Sequence, residues 1–100
     1  MMNQAQLYQN WLIPFTVFGQ ECVVARVDAI DVIKQAYGHG FIFLGYDAFT
    51  IFPDGKRQPI TEFCASFSIE NQPSINAAID SLKNDPLQVT HYVFVFKPSA

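Results

Sequence analysis

The sequence has few cationic residues and no cluster of them. Six lysines and arginines stand against nine aspartates and glutamates, which gives a formal net charge of −3 at pH 7. Only Lys56 and Arg57 are adjacent, and they fall in a turn-like segment. A protein that binds nucleic acid directly normally needs a cationic face to neutralise phosphates. The sequence therefore argues against direct nucleic-acid binding, and its mild acidity suits a basic protein partner.

Cysteine and histidine are also scarce. Cys22 and Cys64 each have apolar neighbours, and free buried thiols are expected because cysteine behaves as a small hydrophobic residue in cores. A zinc site needs about four ligands at close spacing, whereas these cysteines and the two histidines, His39 and His91, are scattered singly. No metal site is expected.

No long apolar run and no glycine-rich loop are present. Residues 11–19 are apolar but contain Pro14 and follow no Lys or Arg, unlike a signal peptide. Nothing approaches the roughly 18 apolar residues of a spanning helix. Gly38, Gly40 and Gly45 follow a predicted helix and precede a strand, the reverse of a nucleotide-binding loop. We therefore expect a cytoplasmic protein without membrane contact and without a cofactor.

Apolar and aromatic side chains are abundant. Half of the residues are hydrophobic and 15% are aromatic, with ten Phe among them. This is enough for a core in a chain of about one domain's length, so residues 1–100 are expected to form a single domain. The polar residues 1–10 are expected either to fray or to form a short helix.

Local patterns in the first half predict two strands, a helix and a long third strand. Residues 13–18 and 22–27 are rich in β-formers and predict a hairpin, with the first strand at a sheet edge because of a proline. A helix is predicted to begin with Asp28 as its N-cap and to be ended by two glycines. Residues 41–52 are long for one strand, so Gly45 and Asp47 are expected to mark a bulge or bend that splits it.

The second half predicts a turn, two more strands and a second helix. Residues 53–56 have the composition of a tight turn, and residues 60–67 alternate like a half-buried strand. The second helix is expected to have Pro73 at its first position. A last strand, residues 89–97, is apolar on both faces and belongs in the sheet interior. The fold class predicted is α+β, an antiparallel or mixed sheet of about four to five strands with two helices packed on it.

Candidate catalytic groups are few. Cys64 and His91 lie on two predicted strands and could be neighbours, but no third group that would orient them is evident. Asp28 and Asp31 are explained by helix capping and by favourable charge in the first turn. The sequence therefore predicts a protein that is not an enzyme.

Asp47 is the carboxylate that local structure explains least. It lies within an aromatic strand, where a charge is disfavoured unless it is paired or exposed. The carboxylate could bond to turn amides and have a purely structural role. It could instead present an anion on a ligand-facing bend. The sequence leaves both interpretations open.

Two segments share a pattern with a known family. Residues 28–52 contain Ala29-Ile30-Asp31-Val32 followed by Ala36, Gly40, Leu44-Gly45 and Asp47, and residues 76–97 contain Ala78-Ile79, Leu82-Lys83, Asp85, Tyr92 and Lys97. This order resembles the immunity proteins of anticodon-cleaving, tRNase-type colicins, in which a short helix leads through glycine into an aromatic strand ending Leu-Gly-x-Asp. Immunity proteins of related form accompany the toxins of contact-dependent growth inhibition. Residues 1–27 and 54–73 lie outside the resemblance.

The resemblance implies a stoichiometric inhibitor of a secreted RNase toxin. The partner would be the basic C-terminal nuclease domain of the cognate toxin, with carboxylates in place of phosphates and aromatic rings in place of stacked bases. By position it implies partner-binding roles for Asp47 and the adjacent Tyr46. Asp54 and Glu62 are added because turn chemistry and strand alternation expose them.

Two other functions stay open. The alternative to an immunity protein is a small metabolite-binding or oligomeric regulatory α+β domain that uses an apolar groove beside residues 41–52. An enzyme that uses Cys64 is the weakest of the three hypotheses.

Overall fold

The computed structural model describes residues 3–99 and shows three helices and a curled antiparallel sheet. The elements in chain order are α1 (Gln4–Asn10), β1 (Thr16–Phe18), β2 (Glu21–Ala25), α2 (Arg26–Gly38), β3 (Ile42–Ile51), β4 (Arg57–Pro59), a 3-10 helix (Thr61–Phe63), β5 (Ala65–Ser66), α3 (Ile75–Lys83) and β6 (His91–Lys97). The strand order is β1-β2-β6-β3-β4, and the short β5 also pairs with β3. The predicted α+β class is confirmed, and α1 is a helix beyond the two expected.

The polar N-terminal segment forms helix α1, one of the two outcomes predicted for it. Residues 1 and 2 lie outside the described residues. The side chain of Asn3 accepts the backbone N–H of Gln6, whose own side chain accepts the N–H of Asn3, forming a capping box. Gln4 Nε2 donates to the Phe94 carbonyl at 2.8 Å, and Tyr8 is fully buried. Burial raises the pKa of Tyr8. These contacts fix α1 onto the sheet.

The end of α1 places a leucine where glycine is usually found. The N–H of Ile13 donates to Tyr8 O at 2.9 Å and that of Leu12 to Gln9 O at 3.2 Å, which is a Schellman motif. Leu12 has a φ of 59° and a side chain that is 88% exposed. Left-handed backbone costs a non-glycine residue about 1–2 kcal/mol, whereas glycine loses about 0.5–1 kcal/mol of additional entropy on folding. Leu12→Gly is therefore expected to raise the free energy of unfolding in urea by roughly 0.5–1 kcal/mol.

Leu12→Ala is the matched control for this prediction. It removes the exposed part of the side chain but keeps the Cβ atom that makes the left-handed conformation costly. Its stability is expected to equal that of the wild type within error. If both variants stabilised the protein equally, the exposed side chain and not the backbone conformation would be the source of the effect.

The first hairpin is confirmed, but α2 begins earlier than the sequence predicts. Strands β1 and β2 pair across Gly19, and β1 is an edge strand as expected. Strand β2 ends at Ala25, which occupies the N-cap of α2 without a side-chain hydrogen bond. The N–H of Arg26 donates to Thr90 O at 2.8 Å instead. Asp28 is thus in the first turn and is not the N-cap, because pairing of the chain with β6 fixes where the strand stops.

Strand β3 is continuous and is not split. It pairs with β6 from Ile42 to Phe49, and the predicted bulge takes the form of a register shift between Phe43 and Gly45. Gly45 has a φ of 136°, and Asp47 lies opposite Val93 in unbroken pairing. The bulge at Gly45 therefore shifts the register of pairing without ending the strand, whereas the sequence predicted a split. Strand β6 lies between β2 and β3, so its predicted interior position is confirmed.

The strand predicted for residues 60–67 is wrong over most of its length. Only Ala65–Ser66 pair with β3, and Thr61–Phe63 form the 3-10 helix. Phe63, Ala65 and Phe67 do pack against the core. The alternation of apolar residues therefore indicates which side chains are buried, but it does not indicate strand pairing. Pro73 is also not in α3: the helix begins at Ile75, because the Ser74 hydroxyl caps it by accepting the N–H of Ala77 at 3.1 Å.

The main core lies between the helices and one face of the sheet. It combines helix residues such as Ala29, Ile33 and Leu82 with sheet residues such as Tyr92 and Phe94, all buried. A second, smaller cluster of Val23, Phe49 and Val93 lies on the sheet without any buried helix residue. The helices therefore cover one face of the sheet. Within residues 3–99, no helix is both long enough and apolar enough to cross a membrane.

Candidate functional site

One face of the sheet is left without a helix over it. Tyr46 and Ala48 belong to the helix-covered core. Because successive side chains of a strand point to opposite faces, Asp47 and Phe49 lie on the other surface of β3. Their cross-strand partners on β6 lie on the same surface. We call this surface the open face and define it by Val23, Asp47, Phe49, His91 and Val93.

One half of the open face is covered by Arg57. Its guanidinium carbon lies 4.9 Å from the centroid of the Phe49 ring and 5.4 Å from that of Phe18. Its Nη1 lies 3.4 Å from Glu21 Oε1. The cation stacks on both rings, and Phe49 is consequently only 6% exposed. The chain's own side chains therefore close this half.

The other half is accessible and contains Asp47. Asp47 is exposed, and Val95 nearby on β6 is 47% exposed. The two ion pairs found over residues 3–99 join Lys56 to Asp54 and Arg57 to Glu21, so Asp47 has no cationic partner there. No backbone amide of the described chain bonds to its carboxylate either, so the turn-amide interpretation of Asp47 has no counterpart in the structure.

Tyr46 lies on the opposite side of β3 from its neighbour Asp47. It is 3% exposed, its hydroxyl shares a 2.6 Å hydrogen bond with Ser81 Oγ, and its ring meets Tyr92 edge-on at 5.3 Å. Burial raises the pKa of Tyr46, and the charge of Asp85 adds to the increase. Tyr46 therefore supports β3 from the core and offers almost no surface to a partner.

Asp54 is accounted for by the turn that contains it. Its carboxylate accepts the N–H of Lys56 at 3.0 Å and lies 3.9 Å from the Lys56 ammonium. Gly55 has a φ of 88°, and its N–H donates to Phe52 O at 2.9 Å. The predicted turn is confirmed, and Asp54 stays exposed at its tip.

Glu62 lies in the 3-10 helix beside a cleft of about 400 Å³. We call it the edge cleft, because it lies between the β3–β4 hairpin, the 3-10 helix and the segment that precedes β6. Its lining residues include Thr50, Phe52, Gln58, Ile60, Glu62 and Gln88. Sequence reasoning identified Glu62 but missed the glutamines, which lie far apart along the chain. The four predicted partner-binding residues thus occupy the open face, the core, a turn and the edge cleft, not one patch.

Cys64 and His91 each have other partners. The Cys64 thiol accepts the N–H of Ala48 at 3.4 Å and donates to Ile60 O at 3.5 Å, and both cysteines are free. Burial raises the pKa of Cys64, and the nearby Asp47 charge raises it further. His91 Nδ1 lies 2.8 Å from Thr90 Oγ1, and burial lowers its pKa. Over residues 3–99, no three His, Cys, Asp or Glu side chains come together as metal ligands.

The surface carries an excess of unpaired carboxylates. Three of the six cationic side chains have partners in the chain itself: Arg26 the backbone carbonyls, and Lys56 and Arg57 the carboxylates of the two ion pairs. Three of the nine carboxylates are engaged in the same way, two in those ion pairs and Asp85 by the Tyr92 hydroxyl. The carboxylates without an ion pair or a hydroxyl donor in the described chain are Asp28, Asp31, Asp47, Glu62, Glu70 and Asp80, against Lys34, Lys83 and Lys97. Of these, Asp47 interacts with the Cys64 thiol.

Comparison of the chain with protein-family models, with curated proteins and with solved structures gives no significant match. The chemistry of the open face, the edge cleft and the surface charge is therefore the basis for a functional proposal.

Proposed function

We propose that this protein is an immunity protein, which binds and blocks the active cleft of a cognate secreted tRNase-type toxin. The observation that carries the proposal is the placement of Asp47: an exposed carboxylate without an ion pair, on a sheet face that no helix covers. A nuclease cleft is cationic because it holds RNA phosphates, and a carboxylate makes the same charge-assisted hydrogen bonds to Arg and Lys. The resemblance to tRNase-type colicin immunity proteins supports the same assignment.

The surroundings of Asp47 suit a protein interface. Val95 of β6, close to Asp47 on this face, exposes 47% of its surface, whereas Val93 opposite Asp47 is buried. An interface of this kind combines apolar contact with a few charged groups that fix the partner's position. Of the aromatic rings, the 43% exposed Phe52 replaces a stacked base better than the buried Tyr46.

The charge of the whole chain favours the same partner. The surplus of unpaired carboxylates attracts a basic nuclease domain over a distance and raises its association rate. Rapid capture matters for an inhibitor that must act before a toxin cuts its RNA. In this proposal the protein acts in the cytoplasm, binds no nucleic acid or membrane itself, and performs no catalysis.

Asp47→Ala is expected to weaken binding to the toxin's nuclease domain by roughly 30-fold, about 2 kcal/mol. Much of that loss comes from leaving a cation of the toxin without its partner in the interface. The candidate toxin is the nuclease domain encoded by the adjacent reading frame. Titration calorimetry gives its affinity, and inhibition of tRNA cleavage is expected to weaken in parallel.

Asp31→Ala is the matched control, because Asp31 is also an exposed, unpaired carboxylate but lies on α2. It removes the same charge and is expected to leave affinity nearly unchanged. Urea unfolding is measured for both variants. Lower stability with unchanged affinity for Asp47→Ala would make Asp47 a structural residue. Failure of the wild type to bind the toxin would contradict the immunity assignment.

A second candidate function is the binding of a small metabolite in the edge cleft. The volume of about 400 Å³ falls within the roughly 300–1,000 Å³ typical of ligand pockets. Of the segment 41–52 beside which a ligand groove was predicted, Thr50 and Phe52 line this cleft, whereas Phe43, Tyr46 and Phe49 are buried and offer no surface to a ligand. Saturable binding of a small molecule in the cleft, with no affinity for any nuclease domain, would favour this candidate.

A further inference from the structure

We propose that the edge cleft is a pocket for a guanidinium group, and that it receives an arginine side chain of the partner protein. The proposal rests on the proposed function in one respect, because the arginine is assigned to the toxin's nuclease domain. It adds a second contact site to Asp47, on a different part of the surface. The charge, hydrogen-bonding groups and shape of the cleft each support it.

The charge of the cleft favours a single cation. Glu62 is the only ionisable side chain among its lining residues, which contain no lysine, arginine or histidine. Its carboxylate takes part in neither of the two ion pairs found over residues 3–99. One negative charge without a neighbouring cation attracts a positive group and repels a phosphate or carboxylate ligand.

The polar side chains of the cleft include acceptor oxygens that the fold leaves unused. The side chains of Gln58, Thr61 and Gln88 make no hydrogen bond within the described part of the chain. The Thr50 hydroxyl donates to Gln88 O at 2.6 Å, which leaves its oxygen able to accept. A guanidinium carries five N–H donors in a plane, whereas an ammonium carries three on one atom. Several acceptors around one space therefore suit arginine better than lysine.

The apolar residues of the cleft fit the rest of an arginine side chain. Phe52 lines the cleft and is 43% exposed, so a planar guanidinium can stack on its ring. Pro59 and Ile60 provide apolar surface along which the methylene stem can lie. A metal ion would gain nothing from these three residues, whereas an arginine uses all of them.

The first test uses a free probe and does not need the toxin. N-acetyl-arginine-N-methylamide is titrated into the ¹⁵N-labelled protein, with the lysine and citrulline analogues in parallel. Saturable shifts are expected for the amides of Thr61, Glu62 and Gln88, weaker with the lysine analogue and absent with citrulline, which has nearly the same shape without the charge. Glu62→Gln is expected to abolish the shifts. Absent shifts with the arginine probe, or equal shifts with citrulline, would overturn the pocket.

Glu70→Gln is the matched control for both tests. Glu70 is exposed and unpaired like Glu62 but does not line the cleft, so the same change of charge is expected to leave probe binding intact. Both side chains are exposed, and the urea midpoints of the two variants are expected to equal that of the wild type. Equal loss of probe binding in both variants would reduce the effect to net charge and overturn the pocket.

The second test assigns the arginine to the partner. Glu62→Gln is expected to weaken binding to the nuclease domain by roughly 10- to 100-fold, and Glu70→Gln to leave it unchanged. If wild type and Glu62→Gln bind the nuclease domain equally, the pocket's role in the complex is overturned while the proposed function stands. If the wild type binds the arginine probe but no nuclease domain, the proposed function fails and the source of the guanidinium is a free compound.

Discussion

Gly45→Ala is expected to lower the free energy of unfolding by about 3 kcal/mol or more. Gly45 has a φ of 136°, and a Cβ atom added there would lie 2.1 Å from the carbonyl oxygen of Ala65 and 2.9 Å from its carbonyl carbon. Both atoms belong to the backbone of β5, so no rotation of a side chain can relieve the clash. Backbone strain of this kind costs about 1–3 kcal/mol, and moving β5 away from β3 adds the loss of its contacts.

Gly38→Ala is the control with the opposite expected sign. Gly38 is the last residue of α2, and nothing lies within 4 Å of an added Cβ. Alanine there is expected to stabilise the protein by roughly 0.5–1 kcal/mol, since it favours the helix and restricts the unfolded chain. Urea unfolding measures both variants. Wild-type stability of Gly45→Ala would show that β5 can move without cost.

Hydrogen exchange locates where the strain at Gly45 is relieved. The N–H of Phe67 donates to Leu44 O at 3.0 Å, directly after β5. If alanine displaces β5, this amide is expected to lose protection while amides of β6 keep theirs. Uniform loss across the sheet would instead indicate that the whole of β3 has shifted.

The elements that the sequence predicted correctly are those fixed by local chemistry. The turn at residues 53–56 depends on a proline, an aspartate and the glycine Gly55, whose φ of 88° only glycine adopts readily. The interior position of β6 follows from side chains that are apolar on both faces. Neither prediction needed information about distant parts of the chain.

Predictions that depended on tertiary contacts were less successful. The alternation over residues 60–67 matches burial, but a burial pattern does not show which backbone groups pair with a neighbouring strand. The N–H of Ile60 donates to Ala48 O at 2.8 Å, after which the chain turns through the 3-10 helix before it pairs again as β5. The edge cleft could not be predicted either, because Thr50, Glu62 and Gln88 meet only once the hairpin and the loops have folded.

Tyr46 and Asp47 show, within one strand, the difference between what local sequence predicts and what tertiary contacts determine. The resemblance suggested both as partner-binding residues because they are adjacent in sequence. In a β-strand adjacent residues point to opposite faces, so placing Asp47 on the open face places Tyr46 in the core. The alternation of side chains along a strand places the two residues on opposite faces of the sheet. It does not show which of these faces the helices cover.

The start of α2 gives the clearest case of a role hidden from the sequence. Asp28 is a residue type that often caps helices, but the side chain that anchors this end of α2 is that of Arg26, two positions earlier. Its guanidinium donates to the carbonyls of Pro86 and Val89 through Nη1 and to those of Leu82 and Asp85 through Nη2. Leu82 lies in the last turn of α3, where carbonyls lack a partner further along the helix, and the other three residues follow the helix. The carbonyls of Leu82 and Pro86 also accept the backbone N–H groups of Asp85 and Val89. Arg26 thus joins the start of one helix to the end of the other.

Arg26→Met is expected to lower the free energy of unfolding by about 3 kcal/mol, because hydrogen bonds to a charged donor are worth about 1.5–3 kcal/mol each and the carbonyls of Asp85 and Val89 lose their arginine donor. Arg26→Lys is expected to lower it by about 2 kcal/mol, since an ammonium keeps the charge but cannot span both pairs of carbonyls as the planar fork does. Urea unfolding and the exchange rates of amides in α3 measure the effect. Full stability of Arg26→Lys would show that positive charge at the end of α3 is sufficient. Wild-type stability of Arg26→Met would show that water satisfies these carbonyls as well as arginine does.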